Sequence, residues 1–323
     1  YSKHYRTCLH PDTGVEGLDR ALRSLALFDA SVLFPYLLNL LEYRQQGSLS
    51  DDTTTGILWM LDSYLFRRWA CSVPANALNK IFETLHGDVL RNMGDGESYS
   101  EVVSYLMTHK GGTGRFPDDD EFLVAIRTRD FYHIQNRKFY LYDRLENENK
   151  ERVAVVTGLE EGTFSVEHVM PQTLNDEWKE SLGSEWERIH DEWVNQIANL
   201  TLTAYNSDYS NRPFAQKRDM KDGFKESGFR LNRWISRQET WGSPQLLERR
   251  QIMERKFLEL WPAATSSFVP KRILPDEASL DSGIDFTGRR ITSFTFMGVR
   301  YTVSQWNTME QKVLELLLEL EPA

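Results

Sequence analysis

The residues of this chain that are best suited to chemistry surround one histidine. His168 follows Glu167 late in a predicted strand, and Asn199, Asn206 and Asn211 come further along the chain. A neutral imidazole can take a proton from water, whereas carboxylate and amide oxygens suit Mg²⁺ or another divalent ion such as Mn²⁺. This set of groups predicts metal-assisted attack of water on a phosphodiester.

Each of these residues has a predicted role. His168 is the general base, and Asn199 braces the loop that carries it and fixes its tautomer. Glu167 and Asn206 bind the metal ion, with Asn211 as the alternative ligand, so Asn206 counts among the catalytic residues. Adjacent strand residues point to opposite faces. Glu167 and His168 therefore share a site only at a strand end or a bulge, which the proline three residues after the histidine favours.

Basic residues follow the asparagines. Lys217 is predicted to hold a phosphate oxygen as a point charge, and Arg218, Arg212 and Lys221 complete the predicted DNA-binding set. Residues 211–256 contain twelve basic and six acidic residues, within a chain whose formal net charge is −10. Solvated helix faces with i,i+4 pairs explain this surplus as well as a phosphate-facing surface does. The charges alone leave both interpretations open.

A strand–strand–helix unit is predicted to position these residues. Residues 164–169 form the strand that carries His168, and residues 199–205 form a second strand after an insertion with two predicted helices. Pro213 begins the next helix, because proline suits the first turn. Residues 153–157 also have strand composition.

Helical spacing dominates the chain before this unit. The predicted fold class is mainly α with a small ββα core, a multi-helical N-terminal region and a short C-terminal β-hairpin plus helix. We therefore predict a helical domain at 1–150, a catalytic domain at 151–262, and a linker with a small hairpin-helix module at 263–323.

Composition excludes several classes of protein. Cys8 and Cys71 are the only cysteines, so a thiolate zinc site is excluded, and this usage fits a reducing cytoplasm. No apolar run approaches the length of a membrane span, and no signal peptide is recognisable. We predict a cytoplasmic location without membrane contact. The polar start at Tyr1 favours the interpretation that this is part of a larger protein.

Three segments taken together resemble a known family. They are VEHVMPQ at 166–172, ANLTLT at 198–203 and YNSDYSNRPFAQK at 205–217. This pattern resembles the HNH (ββα-metal) nuclease domain at the C-terminal end of GmrSD-type and SspE-type restriction proteins. Two departures stand out: Ala198 replaces the usual glycine, and the loop between Asn199 and Asn206 is shorter, which could move the metal ligand to Asn211.

The resemblance implies a metal-dependent endonuclease of a bacterial anti-phage restriction system that nicks double-stranded phage DNA, with His168 as general base. It implies as partner the N-terminal nucleotide-hydrolysing, modification-sensing domain of the same protein, whose Asp-Gly-Gln-Gln-Arg motif this sequence lacks. A double-strand break would need two protomers or two events, so a homo-oligomer is consistent with it. The alternatives are a catalytically degenerate HNH-fold module that binds or positions DNA, and a pure interaction domain.

Overall fold

The computed structural model describes residues 2–94, 96–148, 153–204, 209–270, 277–280, 286 and 289–320. The chain divides into two units, residues 1–269 and residues 270–323. The protein is mainly helical with two small antiparallel strand pairs, as predicted. In the described residues, no helix combines the length and the apolar character that crossing a lipid bilayer requires.

The first part of the larger unit consists of helices. They are α1 (Ser2–Leu9), α2 (Glu16–Leu27), α3 (Phe34–Gln45), α4 (Asp51–Ala70), α5 (Leu78–Asn92), α6 (Tyr99–Thr108), α7 (Asp119–Thr128) and α8 (Arg137–Asn147). The long helix α4 shows why the sequence folds this way. The Ser50 side chain caps its first turn by accepting from the Thr53 amide, and acidic residues in the first turn and arginines in the last suit the helix dipole.

The second part of the larger unit contains a pair of strands and further helices. In chain order these are α9 (Val155–Glu160), β1 (Ser165–His168), α10 (Asp176–Leu182), α11 (Trp186–Trp193), β2 (Leu200–Thr203), α12 (Phe214–Asp219) and α13 (Ser243–Leu260). Strands β1 and β2 are antiparallel, with His168 opposite Leu200 and Ser165 opposite Thr203. The helix predicted to begin at Pro213 is α12, with Pro213 at its N-cap position.

The strand predicted at residues 153–157 is wrong, because this segment leads into helix α9. The Asn147 side chain accepts from the Val153 amide and donates to the Val153 carbonyl, which fixes Val153 two residues before the helix begins. Val155 and Leu159 are then buried on one face at helical spacing. The apolar run was therefore too short for its periodicity to separate a strand from a helix.

The predicted boundary near residue 150 falls inside the larger unit. Leu200 and Leu202 of β2 belong to the same apolar core as the helices before residue 148. Phe66 of α4 stacks on Trp261 with ring centroids 3.9 Å apart, and the Arg67 side chain donates to the Trp261 carbonyl at 2.7 Å. A second core lies under α10, α11 and α12 and contains Trp178, Trp193, Tyr209, Phe214 and Trp241.

The smaller unit is the predicted hairpin plus helix. Strand β3 (Ser293–Phe296) pairs with β4 (Val299–Thr302), and helix α14 (Trp306–Leu320) follows. Met297 and Gly298 form the two-residue turn with φ of 49° and 82°. Positive φ at both positions matches the right-handed twist of the two strands, which explains why the turn falls at a glycine.

Candidate active site

His168 is the last residue of β1, and its side chain is buried at 6% exposure. The ring of Tyr132 packs against the imidazole with centroids 4.3 Å apart. Burial lowers the pKa of His168 from 6.5 to about 4, although its hydrogen bond to Asn195 acts in the opposite direction. The imidazole is therefore neutral at physiological pH, which a general base requires.

Asn195 and Asp130 extend the histidine into a chain of hydrogen bonds. Asp130 Oδ2 accepts from Asn195 Nδ2 at 3.0 Å, and His168 Nε2 donates to Asn195 Oδ1 at 3.1 Å. A carboxylate only accepts, so it fixes which end of the Asn195 amide faces it. The proton of the neutral imidazole then lies on Nε2, and Nδ1 is unprotonated.

Sequence reasoning missed these two residues. Asp130 lies just after α7, in the predicted helical region, and Asn195 lies between the two strands. Neither belongs to a motif segment. A signal existed only in their residue types, since a carboxylate and an amide are the usual partners that orient a functional histidine.

Asn199 holds the chain that follows His168. Its Oδ1 accepts from the Met170 amide at 2.8 Å and from Trp241 Nε1 at 3.1 Å, and its Nδ2 donates to the Met170 carbonyl at 2.8 Å. The side chain is fully buried, so these bonds are shielded from water. No described contact joins Asn199 to the imidazole. The prediction that Asn199 fixes the tautomer is therefore corrected, because Asn195 makes that contact.

Glu167 and Lys217 form a buried ion pair behind the histidine. Lys217 Nζ donates to Glu167 Oε1 at 2.6 Å and to the His168 carbonyl at 2.8 Å. Lys217 is 0% exposed, so its ammonium cannot reach a phosphate and the DNA-binding role predicted for it is corrected. Helix α12 instead uses Lys217 to hold the end of β1.

Burial acts on both members of this pair. It raises the pKa of Glu167, opposed by Lys217, and it lowers the pKa of Lys217, opposed by Glu167. Each residue thus stabilises the charge of the other in a poorly solvated position. Removing either charge alone leaves the other unpaired, which costs far more than the pair contributes.

An open cleft of about 300 Å³ lies beside His168. It is lined by Tyr132, Val166, Glu167, His168, Pro171, Gln172, Thr173, Ser210 and Asn211. The predicted base and two predicted metal ligands therefore share one cavity, because β1 ends at the histidine and lets neighbouring residues reach the same space. Asn206 lies outside the described residues.

The cleft offers hard oxygen donors of unequal quality for a divalent ion. Asn211 is exposed, and its side chain makes no hydrogen bond in the described part of the chain. Lys217 binds Oε1 of Glu167, so Oε2 is the carboxylate oxygen that remains available as a metal ligand. The described residues contain no group of three or more His, Cys, Asp or Glu side chains arranged to hold a metal ion. These few ligand oxygens fit a weakly bound Mg²⁺ that keeps most of its water ligands, and they do not fit an ion enclosed entirely by protein ligands.

The other predicted DNA-binding residues lie nearer the surface. Arg218 is engaged with Asp219 and donates to the Gln238 carbonyl at 2.7 Å. Arg212 and Lys221 are exposed, and neither has an ion-pair partner among the described residues. Much of the surplus charge of residues 211–256 is likewise paired or buried, so only part of it is free to meet an anion.

These features define a helical protein with a candidate site of one neutral histidine on a strand–strand–helix unit, next to a cleft of oxygen donors. Residues 116–256 match the family described as GmrSD restriction endonucleases, C-terminal domain. The resemblance to GmrSD-type restriction proteins is thereby confirmed for that segment, which runs from before Asp130 to beyond the candidate cleft. No curated protein matches the chain.

Proposed function

We propose that this chain is a metal-dependent DNA endonuclease of the HNH type that nicks DNA in an anti-phage restriction system. The observation that carries the proposal is the neutral, buried His168 at the end of β1, with Nδ1 unprotonated and a cleft of oxygen donors beside it. The match of the surrounding segment to restriction endonucleases supports DNA as the substrate.

In the proposed reaction, His168 Nδ1 accepts a proton from the water that attacks the phosphodiester. Asn199 keeps the chain after the histidine in place, and the Glu167–Lys217 pair holds the end of β1 from the other side. Glu167 Oε2 and Asn211 would hold a divalent ion, which neutralises charge on the phosphate and the leaving oxygen when bound. Arg212 and Lys221, which have no ion-pair partner among the described residues, would contact DNA phosphates.

The test is a cleavage assay with supercoiled plasmid and with phage genomic DNA in the presence of Mg²⁺. We expect relaxed circles that disappear with a chelator, and a rate about 10²- to 10⁴-fold lower in His168→Ala, the usual contribution of a general base. His10→Ala is the matched control, because His10 is exposed and its side chain makes no described contact. Nicking by His168→Ala at the rate of the control would refute the mechanism.

The pH dependence of the same assay has a definite sign. Since the pKa of His168 is lowered to about 4, the base remains unprotonated down to about pH 5. Protonation of His168 should therefore not slow nicking anywhere between about pH 5 and pH 8. A rate that falls by half near pH 6.5, the ordinary value for histidine, and does so only when His168 is present, would indicate a solvated imidazole.

The Glu167–Lys217 pair favours a second candidate, a degenerate module that binds DNA without cutting it. An ammonium 2.6 Å from the carboxylate repels a cation approaching the same group. Plasmid that stays intact while the protein retards it on a gel would support this second candidate. If the chain is the proposed endonuclease, the DNA that it retards on the gel is also cut.

A further inference from the structure

The loop that follows α7 contacts the candidate base or its hydrogen-bond partner Asn195 through three separate features. Asp130 accepts from Asn195, the Phe131 amide donates to the Asn195 carbonyl at 2.9 Å, and the Tyr132 ring packs on His168. None of the three loop residues lies in the strand–strand–helix unit. The part of the chain before residue 150 therefore builds one wall of the site.

Asp130 is itself fixed by its own loop. Its Oδ1 accepts from the Tyr132 and His133 amides at 2.8 Å and 2.9 Å, and its Oδ2 accepts from His133 Nδ1 at 2.8 Å. Burial opposes its ionisation, but the hydrogen bonds from His133 and the two amides bring the pKa of Asp130 below its ordinary value. A charged carboxylate in a fixed position can orient an amide, because it offers no alternative donor.

The Asp130 carboxylate determines the direction of both hydrogen bonds that link it through Asn195 to His168. Asn195 must turn its NH₂ group to Asp130, so its carbonyl oxygen faces His168 and requires a proton on Nε2. Reversal of the amide would put a donor against Nε2 and move the imidazole proton to Nδ1, the nitrogen that the proposed reaction uses as the base.

We propose that Asn195 and Asp130 are positioning residues that fix His168 in the tautomer with Nε2 protonated and Nδ1 free. Asn195 acts directly, and Asp130 acts through Asn195. The catalytic consequence rests on the proposed nuclease function, whereas the tautomer itself does not. Because the Asp130 side chain is 44% exposed and water competes for its bonds, we expect its loss to matter less than the loss of Asn195.

The primary test is nuclear magnetic resonance of the full chain labelled with ¹⁵N-histidine, with His168 assigned by its absence from the His168→Gln spectrum. We expect a proton signal on His168 Nε2 that persists at neutral pH, because the bond to Asn195 protects it from exchange with water. Asn195→Ala should lose that signal by exchange. Asn195→Asp combined with Asp130→Asn should keep it, because the new carboxylate still accepts from Nε2 while the amide now at position 130 donates to it across the 3.0 Å contact.

Asn136→Ala is the matched control. Asn136 is an exposed asparagine a few residues from Asp130, and its side chain does not cap the helix that follows it. The control should leave the His168 signal unchanged. An Nε2 proton equally protected in Asn195→Ala, or a protected proton on Nδ1 in the unaltered chain, would overturn the proposal.

The cleavage assay provides the second readout. Asn195→Ala should lower kcat by about 10- to 100-fold, the loss seen when a metal-bound histidine is deprived of its orienting partner, with KM for DNA nearly unchanged. Asp130→Ala should show a smaller loss, and the exchange of the two side chains in Asn195→Asp with Asp130→Asn should restore part of the rate. If the unaltered chain cuts no DNA, the nuclease proposal fails, and the resonance experiment still decides whether Asn195 fixes the tautomer.

Discussion

Among single residues, the Glu167–Lys217 pair is the interaction on which the end of β1 depends. Both side chains are buried, and the ammonium also holds the His168 carbonyl. Such a pair contributes little net stability over an apolar replacement, but breaking it is costly. Its value is in orientation, because a single lysine joins α12 to the last two residues of β1.

Replacing the lysine tests this interpretation. Lys217→Met leaves the buried Glu167 without its cation, so we expect a loss of about 3–5 kcal/mol in the free energy of unfolding near pH 8. Burial already raises the pKa of Glu167 above 4.5, and Lys217 opposes that rise. In the variant, Glu167 of the folded state therefore binds a proton more tightly than Glu167 of the unfolded chain. The stability of the variant falls as pH rises from the ordinary pKa of glutamate, 4.5, through the raised pKa of the folded state. The variant should be less impaired near pH 5, as measured by urea unfolding.

Lys221→Met is the matched control for that experiment. Lys221 is exposed, and its ammonium has no partner in the residues that the structure describes. Its substitution should change stability by no more than about 0.5 kcal/mol at either pH. Equal unfolding midpoints for the two variants at both pH values would mean that the buried pair does not form.

Among the elements, α12 is short and depends on the turn that follows it. The Phe224 amide donates to the Lys217 carbonyl at 3.1 Å, and the Lys225 amide donates to the Arg218 carbonyl at 3.1 Å. Gly223 passes so close to the helix end that a Cβ there would lie 2.6 Å from the Lys217 carbonyl oxygen. The turn thus fixes the position of Lys217, the residue that holds the end of β1.

We expect Gly223→Ala to lower stability by about 1–3 kcal/mol, because backbone atoms must shift to admit the methyl group. The same shift should displace Lys217 and reduce nicking. Gly228→Ala is the control, since a Cβ at Gly228 meets nothing within 4 Å. Thermal unfolding of both variants provides the comparison, and a Gly223→Ala protein as stable as the control would show that the turn is looser than the structure indicates.

In the molecule as a whole, the residues on both sides of position 150 form one unit. Glu146 of α8 accepts from the Arg230 and Leu231 amides at 2.6 Å and 3.0 Å. Phe257 and Trp261 are fully buried in the core that the N-terminal helices share. The ring of Tyr132 and the carboxylate of Asp130 reach the candidate site from the N-terminal side.

Residues 151–269 expressed alone should therefore fail to unfold cooperatively, because they would expose the apolar residues that normally pack on α4 and α8. Residues 1–269, which keep that packing, should show a single transition. Calorimetry and near-ultraviolet circular dichroism of the two fragments would measure this. A sharp transition in the shorter fragment would establish it as an independent domain.

Local sequence was enough to predict most of the helices, though not α9, and also the two strands around His168, the C-terminal hairpin and the family of residues 116–256. Those features depend on periodicity, turn residues and short motifs, whose members lie within a few residues of each other. Motif order also led to Glu167, His168 and Asn211, which line one cleft. Asn206, also predicted there, lies outside the described residues.

The partners of these side chains depend instead on tertiary contacts that no local pattern contains. Lys217 turns inward to Glu167, Asn199 bonds the backbone after His168, and Asn195 with Asp130 takes the place beside the imidazole. Asp130 and His168 are far apart in the sequence, and no motif links them. Asp130 and His168 come close because the helices and β2 bury one apolar core together. The packing of that core decides which loops meet, and the local sequence of each loop does not contain this information.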